Sequence, residues 1–254
     1  MRPGIIDVHM SDGEISSQEA PENSANTRVS WGLSEVFIGI FASLFLGIVA
    51  VLVFKATAAD PDRLTLPGVF AAVVGGWIAY AGTPYLVARH KPGGLGQQMG
   101  FRFHWRVDVP KGVLLGIAGQ VLVALIYLPL HLLAPGVVED LDAPAKQLTD
   151  TITSWRWVVF GLFVAGVSPV CEELFFRGLT MRAIASRWGA TTGIVVSGII
   201  FGIIHFESVQ TVALVAFGML LAWRATRTGR IGETVIGHAT FNLITVLALF
   251  FGVS

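Results

Sequence analysis

Between Trp31 and Phe54 the chain runs through twenty-four residues, FIGIFASLFLGIVAVLVF among them, with one acid, Glu35, near the start. As a helix this run rises about 36 Å, enough to cross a hydrocarbon core of about 30 Å. Lipid offers the backbone no hydrogen bonds, so spans of this kind satisfy their own amides as helices. Further apolar runs follow at 68–87, 112–133, from about 155 to 187, 191–204, 209–223 and 231–251. The expected fold is therefore all-α, a polytopic transmembrane helix bundle of seven to eight spans. Composition agrees: 13% of residues are charged, against roughly a quarter in a soluble domain. The 29 glycines follow no period of three, which excludes a collagen-like chain. A net charge of zero gives no electrostatic case for nucleic acid as a partner. The single cysteine, Cys171, excludes an internal disulfide and a thiolate metal cluster.

Three regions are expected. Residues 1–30 are polar and aperiodic and read as a disordered tail on the cytoplasmic side; residues 31–154 hold the N-terminal transmembrane helices; residues 155–254 hold a helix bundle that carries the chemistry. Pro129 is expected to kink the third segment or mark its fraying end, and Gly189 to break the fourth. Gly75, Gly76 and Gly116 read as close-packing surfaces between helices. The tail and every second loop share thirteen Lys and Arg, whereas the opposite loops hold four (Lys55, Arg63, Lys146, Arg156). The positive-inside rule then places the N-terminus in the cytoplasm.

Charge is expensive in a bilayer, so an acid, arginine or histidine within a span is a functional hypothesis by default. Glu172 and Glu173 stand together in segment four, followed by Arg177. Glu173 and Arg177, four apart, share a helix face and can pair; Glu172 points about 100° away and is left without a local partner. A carboxylate so placed can be tuned as an acid or base, or can belong to a structural ion-pair network. Pro169 just upstream is positioned to kink the helix and admit water. Phe201 and His205 share a face at the end of segment five, where a histidine serves packing at least as often as catalysis. His238 and Asn242, one turn apart, could donate to a developing oxyanion or clamp two helices. Glu233 reads as a charge at a helix N-terminus. If the helices run straight, Glu172, His205 and His238 lie at different depths. They meet only if segment seven starts deeper or segments five and six tilt.

Absent motifs narrow the chemistry. There is no His-Glu-x-x-His, no Gly-x-Ser-Gly followed by a histidine, and no aspartate in the apolar spans. These absences disfavour zincin-type, serine-type and aspartyl intramembrane proteases.

Glu172-Glu173-x-x-x-Arg177, Phe201-x-x-x-His205 and His238-x-x-x-Asn242, in that order and each in a hydrophobic helix, resemble the CPBP family. That family comprises the CAAX prenyl protease 2 and bacteriocin-processing (Abi) intramembrane proteases. The resemblance covers roughly residues 155–251; before it, Gly100-Phe101-Arg102 resembles a stretch such proteins often carry. It implies a peptidase in which Glu172 activates water with help from His205, His238 and Asn242 hold the oxyanion, and Glu173 and Arg177 organise the site. It leaves the cofactor open: none, or a zinc ion. The implied partners are the lipid bilayer and a membrane protein or (lipo)peptide substrate. The implied setting is a plasma membrane, such as a bacterial inner membrane. The competing reading is a non-catalytic membrane immunity or scaffold protein of the same fold.

Overall fold

The computed structural model describes residues 29–57, 66–133, 152, 155–206 and 210–252; the expected tail before residue 29, the acidic loop near 139–150 and Glu207 lie outside the described residues. Every element among the described residues is helical: α1 (Leu33–Thr57), α2 (Leu66–Ala88), a short α3 (Gly94–Gln98), α4 (Trp105–Leu133), α5 (Arg156–Gly161), a first π-helical segment (Leu162–Val167), α6 (Ser168–Glu173), a second π-helical segment (Leu174–Thr180), α7 (Met181–Ile203), α8 (Thr211–Thr228) and α9 (Gly232–Phe251). The chain is a multi-pass membrane protein. Among the described residues five helices are long and apolar enough to cross a membrane: α1, α2, α4, the continuous stretch Arg156–Ile203, and α9.

The 48-residue stretch is two helical arms rather than one straight helix. Gly189, at φ 86° and ψ 164°, breaks the helix as its sequence position predicts. Beyond it Gly193 lies against Ala185, so closely that a Cβ there would sit 2.8 Å from the Ala185 Cβ. The two arms therefore run back along each other. α8, which carries Arg224 and Arg227, is less apolar, and it buries Phe217, Gly218, Leu221 and Ala222 against its neighbours. Together α1, α2, α4, the two arms, α8 and α9 make seven helical segments among the described residues.

Two helix pairs form the framework, α1 on α2 and α4 on α9. Glycine permits both. A Cβ on Gly75 would lie 2.6 Å from the Leu46 carbonyl, and one on Gly116 2.5 Å from the Gly237 carbonyl. At that range backbones touch, which is the source of cohesion available where surrounding lipid is as apolar as the side chains. The outer faces stay apolar: Phe37, Phe41, Phe45 and Leu52 of α1 are exposed, as are Leu114, Val121 and Leu125 of α4.

α4 begins at Trp105, seven residues before the expected start of the third segment. Asp108 supplies the reason. Its carboxylate accepts the His104 amide at 2.7 Å and pairs with Arg230, capping the helix and tying it to the turn before α9. The connections expected on one face do meet at one end of the bundle. The Trp31 indole donates to the Leu179 carbonyl at 3.2 Å, Lys91 lies over the Trp31 ring, and Ile231 N–H donates to Gly100 O.

Candidate active site

The site is built on the short α6 between two π-helical segments. Pro169 has no N–H and its ring crowds the carbonyl four residues upstream, so the helix before it cannot keep regular α spacing. It widens over Leu162–Val167 instead of kinking sharply. A second widening follows at once over Leu174–Thr180. π-turns shift the faces on which following residues project, and they concentrate at functional sites. All of Ser168, Pro169 and Cys171 through Thr180 is buried.

Glu173 is fully enclosed with two partners: Arg177 Nη1 forms an ion pair 2.9 Å from its Oε1, and His238 Nδ1 hydrogen-bonds to the same oxygen at 3.1 Å. The pairing expected from the four-residue spacing is therefore present. Arg177, also enclosed, donates through Nη2 to the Gly218 carbonyl of α8 at 3.1 Å and lies over the Phe201 ring at 4.5 Å. One guanidinium thus joins the second π segment, α7 and α8. Paired and stacked in this way, a buried charge is retained at acceptable cost.

Glu172 points elsewhere, as the 100° offset requires. Its Oε1 accepts the Ser168 hydroxyl, one turn earlier. Its Oε2 is buried and has no hydrogen-bond partner among the described residues. Two imidazoles face that oxygen: His205 Nε2 and His238 Nε2, each at 3.9 Å. Their other nitrogens fix their tautomers. His205 Nδ1 lies 2.6 Å from the Phe201 carbonyl, which can only accept, so Nδ1 carries the proton. His238 Nδ1 donates to the Glu173 carboxylate. In the neutral rings both Nε2 lone pairs are directed toward Glu172. The folded-back arms, with α9 entering beside them, remove the difference in depth that straight helices would impose.

Aromatic rings wall the cluster. Phe201 lies 5.7 Å and Phe217 5.6 Å from the His238 ring, both edge-on, and Phe176 packs edge-on against Phe201. Tyr80 of α2 stacks on Phe175 at 4.7 Å. On the α1–α2 side a cavity of about 480 Å³ opens, lined by Ser43, Gly76, Trp77 and Tyr80 and reaching Glu172 and His205. His205 is the most open member of the group, its side chain 30% exposed.

Asn242 stands apart from the convergence. Its amide donates to the Val164 carbonyl of the first π segment at 2.8 Å, which ties α9 to the widened turn. One of its two N–H groups is thereby committed and one is left. Glu233, in the first turn of α9 as expected, is held by a fork of two bonds from Arg224 at 2.7 and 2.9 Å. Ser168 is the member that the sequence reading missed. Its signal was available, since it precedes Glu172 by the same four residues that separate Glu173 from Arg177.

Zinc has suitable donor types here, one carboxylate and two imidazoles, so its fit is a matter of spacing. Atoms 3.9 Å apart share a water at ordinary hydrogen-bond length with an angle of roughly 90° between the bonds. Bonds of about 2.05 Å to one zinc would open that angle to roughly 145°, far from tetrahedral. Among the described residues no group of three or more His, Cys, Asp or Glu is set to hold a metal ion. As placed, the side chains fit a water and do not fit zinc.

Residues 154–244, which contain this whole cluster, match the model of a family described as type II CAAX prenyl endopeptidase Rce1-like. That segment is similar to this family, which agrees with the CPBP resemblance of its motifs. A protein of Bacillus subtilis (strain 168) described as "Putative membrane peptidase YdiL" is 28% identical over 81 residues. Those residues are 32% of this chain and 33% of the relative, so the match spans about a third of each. No solved structure matches the chain. The matched segment runs from just before α5 to within α9; α1, α2 and α4 lie outside it.

Proposed function

We propose that the protein is an intramembrane endopeptidase that hydrolyses a peptide bond of a membrane-associated peptide or protein. The observation that carries this reading is the convergence of two imidazole Nε2 atoms on the free oxygen of a buried carboxylate. Glu172 Oε2 and His205 Nε2 are two acceptors that share a site for a water, which donates one hydrogen to each. As the water oxygen attacks the scissile carbonyl carbon, Glu172 takes a proton and a tetrahedral oxyanion forms. His238 in its protonated form donates from Nε2 to that oxyanion, with Glu173 and Arg177 fixing the ring from behind. The free N–H of Asn242 is the second donor. Collapse breaks the C–N bond, and the proton held by Glu172 passes to the departing amine.

The substrate approaches through the cavity between α1 and α2, whose walls accept apolar side chains and whose floor holds Glu172 and His205. The setting is a plasma membrane, bacterial by the compactness of the loops, with the N-terminus in the cytoplasm.

The test is cleavage by purified protein in liposomes, using a panel of membrane peptides and lipidated peptides with products read by mass spectrometry. Cleavage that survives a strong zinc chelator and is lost in His205→Ala supports the water-and-glutamate reading. Loss in chelator with recovery on added zinc overturns the metal-free step. Cleavage of no peptide by the wild type favours the immunity or scaffold reading.

A further inference from the structure

Gly100-Phe101-Arg102 lies outside the matched segment and takes no part in the chemistry above, yet it is built with care. Gly100 has φ 69°, a left-handed conformation that favours glycine, and a side chain there would collide with Arg182 Nη2. Its carbonyl accepts both Arg102 N–H and Ile231 N–H at 2.8 Å. This elbow brings Arg182 Nη2 against Gly100, two residues before Arg102, so that both arginines lie at the same turn. Arg182 is half-buried; its Nη2 donates to the Gly229 carbonyl at 2.8 Å and its buried Nε has no partner among the described residues. Arg102 is exposed and forms no ion pair among the described residues. The neighbouring acids are spent, Asp108 on Arg230 and Glu233 on Arg224.

Two arginines at one turn with no carboxylate paired to either among the described residues present their donor forks to an anion. Their surroundings say where that anion sits. Phe101, Phe103 and Trp105 form a run of stacked and edge-on rings at 5.1 and 5.0 Å, with Trp105 largely exposed, as is Trp188 next to the Gly189 turn. Exposed tryptophans at helix ends mark the headgroup layer. We propose that Arg102 and Arg182, brought together on the Gly100 elbow, form a binding site for a phosphate-bearing anion at the membrane surface, the headgroup of an anionic phospholipid.

The full-length protein in detergent micelles tests this, with binding of phosphatidylglycerol, phosphatidylcholine and inorganic phosphate followed separately by native mass spectrometry and thermal shift. Arg102→Gln removes an exposed side chain and leaves the elbow intact, whereas Arg182→Gln also removes the tie to Gly229. Arg106→Gln, an exposed arginine on the same helix end, is the control for general surface charge. The expected result is phosphatidylglycerol binding that falls about tenfold or more in Arg102→Gln, as for a charge-assisted contact. In Arg106→Gln it falls at most about fivefold, as for a generic surface cation. Competition by inorganic phosphate identifies the phosphate group as the recognised part; phosphate binding without phosphatidylglycerol binding assigns the site to a free anion. Equal effects in Arg102→Gln and Arg106→Gln, or no preference of the wild type for either anion over phosphatidylcholine, overturn the proposal.

Discussion

At the residue scale the account turns on which oxygen of Glu172 is free. Ser168 holds Oε1, so only Oε2 faces the two histidines, and this division makes Ser168 a positioning residue. Ser168→Ala is expected to lower kcat about tenfold or more with KM little changed, and Ser168→Thr, which keeps a hydroxyl, to restore most of it. A parallel loss from KM would instead point to a packing role. Asn242→Ala releases the Val164 carbonyl and removes a donor. It is expected to cost kcat about a hundredfold if the remaining N–H serves the oxyanion. Glu172, Glu173, Arg177, His205 and His238 were legible as candidates because charges and histidines stand out against apolar spans, and Asn242 because it lies one turn from His238. Ser168 was not, because a serine in such a span is unremarkable until its partner is known.

At the scale of elements, the sequence carried the spans and the break at Gly189, since apolar length and a glycine after a basic stretch are local signals. It did not carry the two π-helical segments or the early start of α4. Both depend on tertiary partners: the α4 extension on Asp108 meeting Arg230, 122 residues away, and the first π segment on Pro169 together with the Asn242 tie. The depth at which Glu172, His205 and His238 meet was equally hidden, because it is set by how three helices tilt together. The energetic centre of these elements is Arg177. Arg177→Ala leaves the enclosed Glu173 without its guanidinium partner, with only His238 beside it, and is expected to cost about 3–5 kcal/mol. A fall in melting temperature in detergent, with loss of folded protein in the membrane fraction, measures it. Gly100→Ala must strain a left-handed position and displace Arg182, at a cost of about 1–3 kcal/mol.

At the scale of the molecule, the segment that matches the family model supplies the charged centre, while α1 and α2 outside that segment supply the cavity wall in front of it. On the proposed function, access and chemistry belong to different parts of the chain and are separable by mutation. Ala72→Trp, on the α2 wall of the cavity, is expected to lower kcat/KM about tenfold or more while the purified protein keeps the wild-type melting temperature. The central claim is that the free oxygen of Glu172 is the working base, and Glu172→Gln tests it most directly, because the amide keeps the size of the side chain and loses its basicity. The measurement is single-turnover cleavage in liposomes by wild type and Glu172→Gln, with melting temperatures matched. The account predicts a loss of about a hundred- to ten-thousand-fold in rate for the folded variant. Cleavage by folded Glu172→Gln at the wild-type rate would contradict it.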